Sequence, residues 1–239
     1  MNAFARWFRF VWLPVLALLV GPASAQQQSV RPGINKQYES PDLPAELKRL
    51  ECDNREAFAR RTDIVAACKL KPGMTVADIG AGTGLFTRLL AGQVGPGGRV
   101  YAVDIARKFL EHVEKTCKDA GLKNVTAVVC TPTSTELPPG SIDVAFICDT
   151  YHHFEFPQKT MASLGKALRP GGQLLLIDYR RIEGKTPEWL MKHVRAGQEL
   201  VIQEVEAAGF KRVDEPLALK DNYFVRFQKN ACVAGPAQR

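Results

Sequence analysis

From residue 75 onward the chain alternates between short apolar runs and stretches whose apolar residues recur every three or four positions. The short runs predict strands at 75–79, 99–104, 125–130, 142–148 and 173–178, and the longer period predicts helices at 84–94, 107–120, 157–168 and 188–209. Strands that are apolar throughout, each separated from the next by a helix, imply a mainly parallel sheet covered on both faces, an α/β fold. Ahead of this pattern, Pro41 to Leu70 reads as helical. Leu43, Leu47 and Leu50 give one face, Phe58, Ile64, Val65 and Cys68 another, and Pro72-Gly73 closes the segment. The tail has a different period. "FKRVDEPLAL" and "NYFVRFQ" alternate apolar and polar residues, as two antiparallel strands do, so a late hairpin at one edge of the sheet is expected. There is no internal repeat, and 239 residues suit one domain with a sizeable core, over residues 41–230.

Composition changes this picture little. The net charge is +7, but Lys and Arg are spread along the chain without a basic block carrying interleaved aromatics, so no nucleic-acid partner is expected. The first 25 residues stand apart. Arg6 and Arg9 precede the apolar run Val11 to Val20, Ala23-Ser24-Ala25 fits a small-x-small cleavage site, and no acid precedes Glu39. This is the layout of a secretory signal peptide, which predicts a secreted or periplasmic protein; a mitochondrial presequence is the alternative. The apolar run is too short for a membrane span. Residues 26–40 read as a flexible leader, with Tyr38 a candidate to fold over a ligand, and 231–239 as a tail. The six cysteines form no C-x-x-C pair and no zinc-ligand spacing. Cys130 and Cys148 read as small buried hydrophobes. Cys52 and Cys232 flank the core, where an oxidising compartment permits a disulfide.

The chemistry starts at "VADIGAGTGLF", residues 76–86. In an open α/β sheet, ligands bind beyond the carboxyl ends of the strands, where the strand order reverses. Gly80, Gly82 and Gly84 allow a sharp turn and a close backbone approach, and the free amides of the next helix favour an anion. The spacing departs from the dinucleotide pattern G-x-G-x-x-G, because Leu85 stands where the third glycine belongs. Asp78 just before the turn would repel a pyrophosphate and attract an ammonium group. A ligand with an amino-acid end suits both features. Asp104 ends the next strand, 20 residues after Gly84, where a ribose-binding acid belongs.

Together "VADIGAGTG", "VYAVDI", "LPPGSIDVAF" and "LRPGGQLLLIDY" resemble, in order, the motifs of class I S-adenosylmethionine (SAM)-dependent methyltransferases. The closest flavour is the small-molecule group that includes ubiquinone/menaquinone-biosynthesis enzymes, and the resemblance spans roughly residues 50 to 230. It implies a Rossmann-like seven-stranded sheet with a reversed final hairpin, with SAM as cofactor and S-adenosylhomocysteine as product. By matching positions, Asp78 and Gly80, with Ala81 beside them, would hold the methionine end. Gly82 and Gly84 would shape the turn, Asp104 would take the ribose hydroxyls and Ile105 would pack on the adenine. Many relatives carry an acid or Asn after the third strand to read the adenine amine; here "CTPTSTELP" puts Thr133 about there.

Methyl transfer needs an acceptor aligned with the methyl and, in many cases, a base. "CDTYHHF", residues 148–154, follows the fourth strand and holds two of the four histidines of the chain. Histidine titrates near neutrality, so His152 and His153, with Tyr151, are the candidate catalytic residues, His152 ahead of His153. Asp149 is expected to border the methionine pocket. After the fifth strand, Tyr179, Arg180 and Arg181 are candidates for the acceptor pocket, an arginine there suiting an anion. Asp149 and Asp178 end neighbouring strands, but Asp178-Tyr179 breaks the Asp-Asn pattern of magnesium-dependent O-methyltransferases, and hard cations prefer oxygen. No metal is expected. Arg55 and Arg60, on helices read as capping the SAM pocket, are candidates to reach the ligand.

The expected function is methyl transfer to a small molecule. Two other readings stay open. A nicotinamide-dependent oxidoreductase is opposed by the glycine spacing and by Asp78. A SAM-fold binding protein without catalysis is favoured by the signal peptide, since SAM is made in the cytosol.

Overall fold

The computed structural model describes residues 26–230. The signal peptide expected over 1–25, the tail 231–239, and hence any Cys52–Cys232 bridge, lie outside them. Among the described residues no helix is long and apolar enough to cross a membrane.

Seven strands form one sheet in the order β3-β2-β1-β4-β5-β7-β6. They are β1 (Thr75–Ile79), β2 (Arg99–Asp104), β3 (Val125–Val129), β4 (Ile142–Cys148), β5 (Leu168–Tyr179), β6 (Phe210–Asp214) and β7 (Asn222–Lys229). The first five run parallel, and β7 pairs antiparallel with both β5 and β6. Strand order reverses between β1 and β4, which opens a crevice at their carboxyl ends.

Both faces of the sheet are covered, which explains the unbroken apolar runs. In β4, Ala145 and Ile147 enter the core layer that holds Met161 and Leu164 of α6 (Pro157–Ala167) and Val201 and Val205 of α8 (Gln198–Ala207). Val144 and Phe146 enter the opposite layer, with Ile64 of α3 (Arg61–Ala67) and Leu90 of α4 (Leu85–Val94). The expected hairpin is present at the β5 side. The last strand in sequence, β7, lies inside the sheet and leaves β6 at the edge. Arg226 of β7 is buried and reaches Asp214 (3.0 Å), Gln173 (3.1 Å) and the Ala67 carbonyl (2.8 Å).

Three element boundaries differ from those read in the sequence. The segment 41–70 is three helices, α1 (Leu43–Leu50), α2 (Glu56–Ala59) and α3, because the polar run at 51–55 turns the chain. The fifth strand begins at Leu168 and shifts register between Ile142 and Val144 of its neighbour, so the Pro-Gly-Gly stretch is absorbed as an irregular start. The helix expected over 188–209 is broken into α7 (Glu188–His193) and α8. Between them Val194 and Ala196 turn into the core, and Arg195 forms a two-pronged pair with Glu204 (2.8 and 2.7 Å). That break ends α7 at the crevice. Helix α5 (Arg107–Asp119) lies between β2 and β3.

The leader read over 26–40 makes specific contacts with the domain. Val30 donates its amide to the Glu155 carbonyl (2.9 Å), Asn35 donates to the His153 carbonyl (3.0 Å), and the Tyr38 ring packs edge-on 5.3 Å from the His153 ring.

Candidate active site

A cavity of about 460 Å³ occupies the crevice beyond β1, β2, β4 and β5. Its floor is the turn from β1 into α4. The backbone at Gly80 and Gly84 has φ of +74° and +78°, and a Cβ at Gly80 would lie 2.2 Å from the Thr150 side chain, so glycine is required at Gly80 by conformation and by space. Gly84 caps α4 from outside the cavity, whereas Gly80, Ala81 and Gly82 line it. The amides of Gly80 and Ala81 bond to the Val103 carbonyl (2.8 and 3.1 Å), which ties the turn to β2.

Two buried carboxylates stand at the ends of β1 and β2. Asp78 accepts the Thr87 hydroxyl on Oδ2 (2.6 Å) and lines the cavity. Burial raises its pKa to about 7, against the Thr87 hydrogen bond and with the Asp104 charge. Asp104 accepts the Gly82 amide on Oδ2 (2.9 Å) and the Ala106 amide on Oδ1 (2.8 Å), so its geometry is fixed before any ligand arrives. Burial lifts its pKa too. Ile105, next in sequence, is an exposed apolar shelf on the cavity wall.

At the other end His152 is 3% exposed, with Nδ1 2.7 Å from Asp178 Oδ1. Asp178 also accepts the amides of His152 (3.0 Å) and Tyr179 (2.8 Å). A carboxylate held in this way accepts a hydrogen bond from Nδ1–H and leaves Nε2 as the acceptor. His153 and His193 flank His152, with ring centroids 4.3 and 5.0 Å away. Burial, then the neighbouring imidazoles, push His153 down to about 2; burial, His152 and the Arg31 guanidinium push His193 down to about 4. Both rings are neutral at physiological pH.

Most residues expected from the sequence converge here. Asp78, Gly80, Ala81, Gly82, Asp104, Ile105, Asp149, His152 and His153 line one cavity. Asp149 has φ of +50°, pairs with Arg55 (2.8 Å) and accepts the Asn222 amide (2.6 Å). Burial raises its carboxyl pKa, opposed by Arg55. Arg55 lines the cavity as expected; Arg60 instead pairs with Asp63 on the surface. Tyr179 lines it, whereas Arg180 turns to Gln198 (3.0 Å) and Arg181 to the Met191 carbonyl (3.3 Å).

Two further expectations are corrected. Tyr151 is fully buried in the core layer under α8, and its hydroxyl donates to Glu204 (2.9 Å), so it faces away from the cavity. Thr133 is off the cavity as well. Its amide and hydroxyl turn back to Thr131 Oγ1, both at 3.4 Å, while Thr131, Pro132 and Ser134 form the wall. The tight turn after β3 swings Thr133 outward from this run.

The sequence reading missed Trp189, Leu190 and His193 of α7, and Arg49 and Leu50 at the end of α1. Trp189 and His193 are four residues apart on a helix that follows β5, a spacing that puts both on one face.

A family model described as a methyltransferase domain matches residues 70–226. The chain belongs to the class I SAM-dependent methyltransferase family. Among curated proteins, a methyltransferase relative, the ubiquinone/menaquinone biosynthesis C-methyltransferase UbiE of Bordetella parapertussis, is 30% identical over 118 residues, 49% of this chain and 45% of that protein. The chain thus spans about half the length of the curated relatives it matches. Among solved structures, a SAM-dependent methyltransferase of Aquifex aeolicus has a TM-score of 0.68 and 27% identity, covering 77% of this chain and 97% of its own. The cyclase SpnF shares the fold at a TM-score of 0.64 and 16% identity, over 81% and 86% of the two chains. The methyltransferase family and fold imply SAM as cofactor, and the site's chemistry fits it. Asp78 suits an ammonium group, Asp104 a ribose diol, and Ile105 an aromatic base.

Proposed function

We propose that this chain transfers a methyl group from SAM to a small nucleophilic acceptor at the His152 end of the cavity. The observation that carries the reading is a single cavity with Asp78 and Asp104 at one end and His152, held from behind by Asp178, at the other. When bound, SAM supplies an electrophilic methyl on a sulfonium that leaves as neutral S-adenosylhomocysteine. Asp78 and the Gly80–Gly82 turn hold the amino-acid end, and Asp104, already oriented by the Gly82 and Ala106 amides, accepts the ribose hydroxyls. His152 Nε2 takes the acceptor's proton as the acceptor bonds to the methyl carbon and the carbon–sulfur electron pair stays on sulfur. Asp178 fixes the ring and stabilises the imidazolium that results. Tyr38, Trp189 and Leu190 give the acceptor end apolar walls, which suits a phenol, thiol or other small metabolite.

Export through residues 1–25 is part of the proposal. Mass spectrometry of exported material beginning at Gln26 supports it, and a full-length cytosolic product counts against it. Calorimetric titration with SAM and with NAD tests the cofactor reading: heat with SAM alone supports it, and heat with NAD alone refutes it.

A further inference from the structure

One nitrogen each from His152, His153 and His193 can be chosen so that all three lie within 4.8 Å of one another. The three come from two separate pieces of chain: His152 and His153 from the turn after β4, His193 from the last residue of α7. The break of the chain after His193, bought by burial of Val194 and Ala196, puts the third ring over the other two. The rings meet edge to face, His193 at 73° to His152 and 65° to His153.

We propose that these three histidines form a divalent transition-metal site, of the kind that takes Zn²⁺, at the acceptor end of the cavity. The expectation of a metal-free site rested on carboxylate ligands for a hard cation; three imidazoles are a different donor set. Neutral imidazole suits zinc and its neighbours in the transition series, and three protein ligands with a fourth position left to water or substrate are the arrangement of catalytic zinc.

Two details of the structure support a metal over ring packing alone. His152 Nδ1 faces Asp178 Oδ1 at 2.7 Å, the carboxylate–histidine contact that fixes a ligating ring and raises its basicity. His153 Nδ1 is buried without a hydrogen-bond partner among the described residues, an unmet polar atom on one of the three rings. Zinc–nitrogen bonds of about 2.0–2.1 Å require nitrogens roughly 3.3 Å apart, so the rings must close inward. His193, only half-buried at a helix end, has the freedom to do so.

The charges around the cluster bear on the fourth ligand. The Arg31 guanidinium bonds to the carbonyls of Lys192 and His193 (2.6 and 2.5 Å), and Arg49 also bears on both flanking imidazoles. These cations disfavour a bare dication and favour one that carries an anion. A phenolate or thiolate acceptor supplies that anion. In that state His152 is a ligand, and the ion lowers the acceptor's pKa in place of a base. This deepens the methyl-transfer reading at the same site, but metal uptake is measured without turnover, and SAM binding is measured separately. Failure of one is therefore distinguishable from failure of the other.

The test is titration of the untagged, chelator-treated chain with Co²⁺ and Zn²⁺ alone, followed by visible spectroscopy and calorimetry. One equivalent of Co²⁺ with the strong ligand-field bands of a low-coordinate site, displaced by Zn²⁺, is expected. Affinity should fall at least 100-fold in His193→Ala and about 10–100-fold in Asp178→Asn, as expected for loss of the group that orients a ligand. Absence of a stoichiometric site in the wild-type chain overturns the proposal. So does undiminished binding in a folded His193→Ala chain, the result if the half-buried Cys52 captured the ion. If His193→Ala does not fold, His193→Gln replaces it, and the wild-type cobalt spectrum stands as an independent arm: octahedral, weak bands overturn the site.

Discussion

His152 Nδ1 lies 2.7 Å from Asp178 Oδ1, and both side chains are almost sealed from solvent. Strands β4 and β5 are neighbours in the sheet, so the carboxyl end of one delivers the imidazole and the carboxyl end of the other its carboxylate. Asp178→Asn keeps the shape but loses the charge that holds the ring. Turnover should fall roughly 10²–10⁴-fold, the range for positioned acid–base groups, with SAM affinity changed only a few-fold. Release of S-adenosylhomocysteine, set beside calorimetric binding, checks the split.

Asp104 connects the cofactor end to the fold itself. Its two oxygens already accept the Gly82 and Ala106 amides, so Asp104→Ala should weaken SAM by about 1–3 kcal/mol and also lower the melting temperature. Calorimetry and a thermal melt on the same sample measure both. Unchanged affinity removes Asp104 from the site.

Asp78 makes the cofactor end pH-dependent. Its pKa is raised by burial to about 7, above the unfolded carboxylate near 3.9. Between those values the folded state holds more protons than the unfolded one, so this group's contribution to stability falls as pH rises from about 4 to about 7. A cationic ligand end favours the ionised carboxylate. SAM affinity should therefore weaken as pH drops below about 7, with proton release on binding, visible as buffer-dependent heats. Asp78→Asn should raise the apo melting temperature at pH 8 relative to wild type, flatten its pH slope, and weaken SAM.

Tyr151 serves the fold. Tyr151→Phe removes the hydroxyl that donates to Glu204 and should cost about 1–3 kcal/mol of stability, with turnover per folded molecule retained. Denaturant unfolding and product release distinguish this from a catalytic role.

The centre of the sheet was legible because its strands are buried on two faces; β1, β2 and β4 begin and end where the apolar runs do. The cofactor end was equally legible, since Asp78, Gly80 and Asp104 belong to local motifs at strand ends. The acceptor end was less so. His193 reaches the site only because α7 stops at Val194, and that break is decided by burial of Val194 and by the Arg195–Glu204 pair, long-range contacts without a local code. Tyr151 and Thr133 show the converse: adjacency to a motif does not set which way a side chain points. In a 3₁₀ turn such as Tyr151–His153, successive residues face about a third of a turn apart, so His152 enters the cavity while Tyr151 enters the core.

The most direct test of methyl transfer follows the label. With methyl-labelled SAM and a panel of phenol, thiol and other small acceptors, label should pass to an acceptor with one equivalent of S-adenosylhomocysteine, and His152→Ala should abolish the transfer while still binding SAM. Stoichiometric SAM binding by the wild-type chain with no S-adenosylhomocysteine formed across the panel would contradict it and leave a cofactor-binding protein without catalysis.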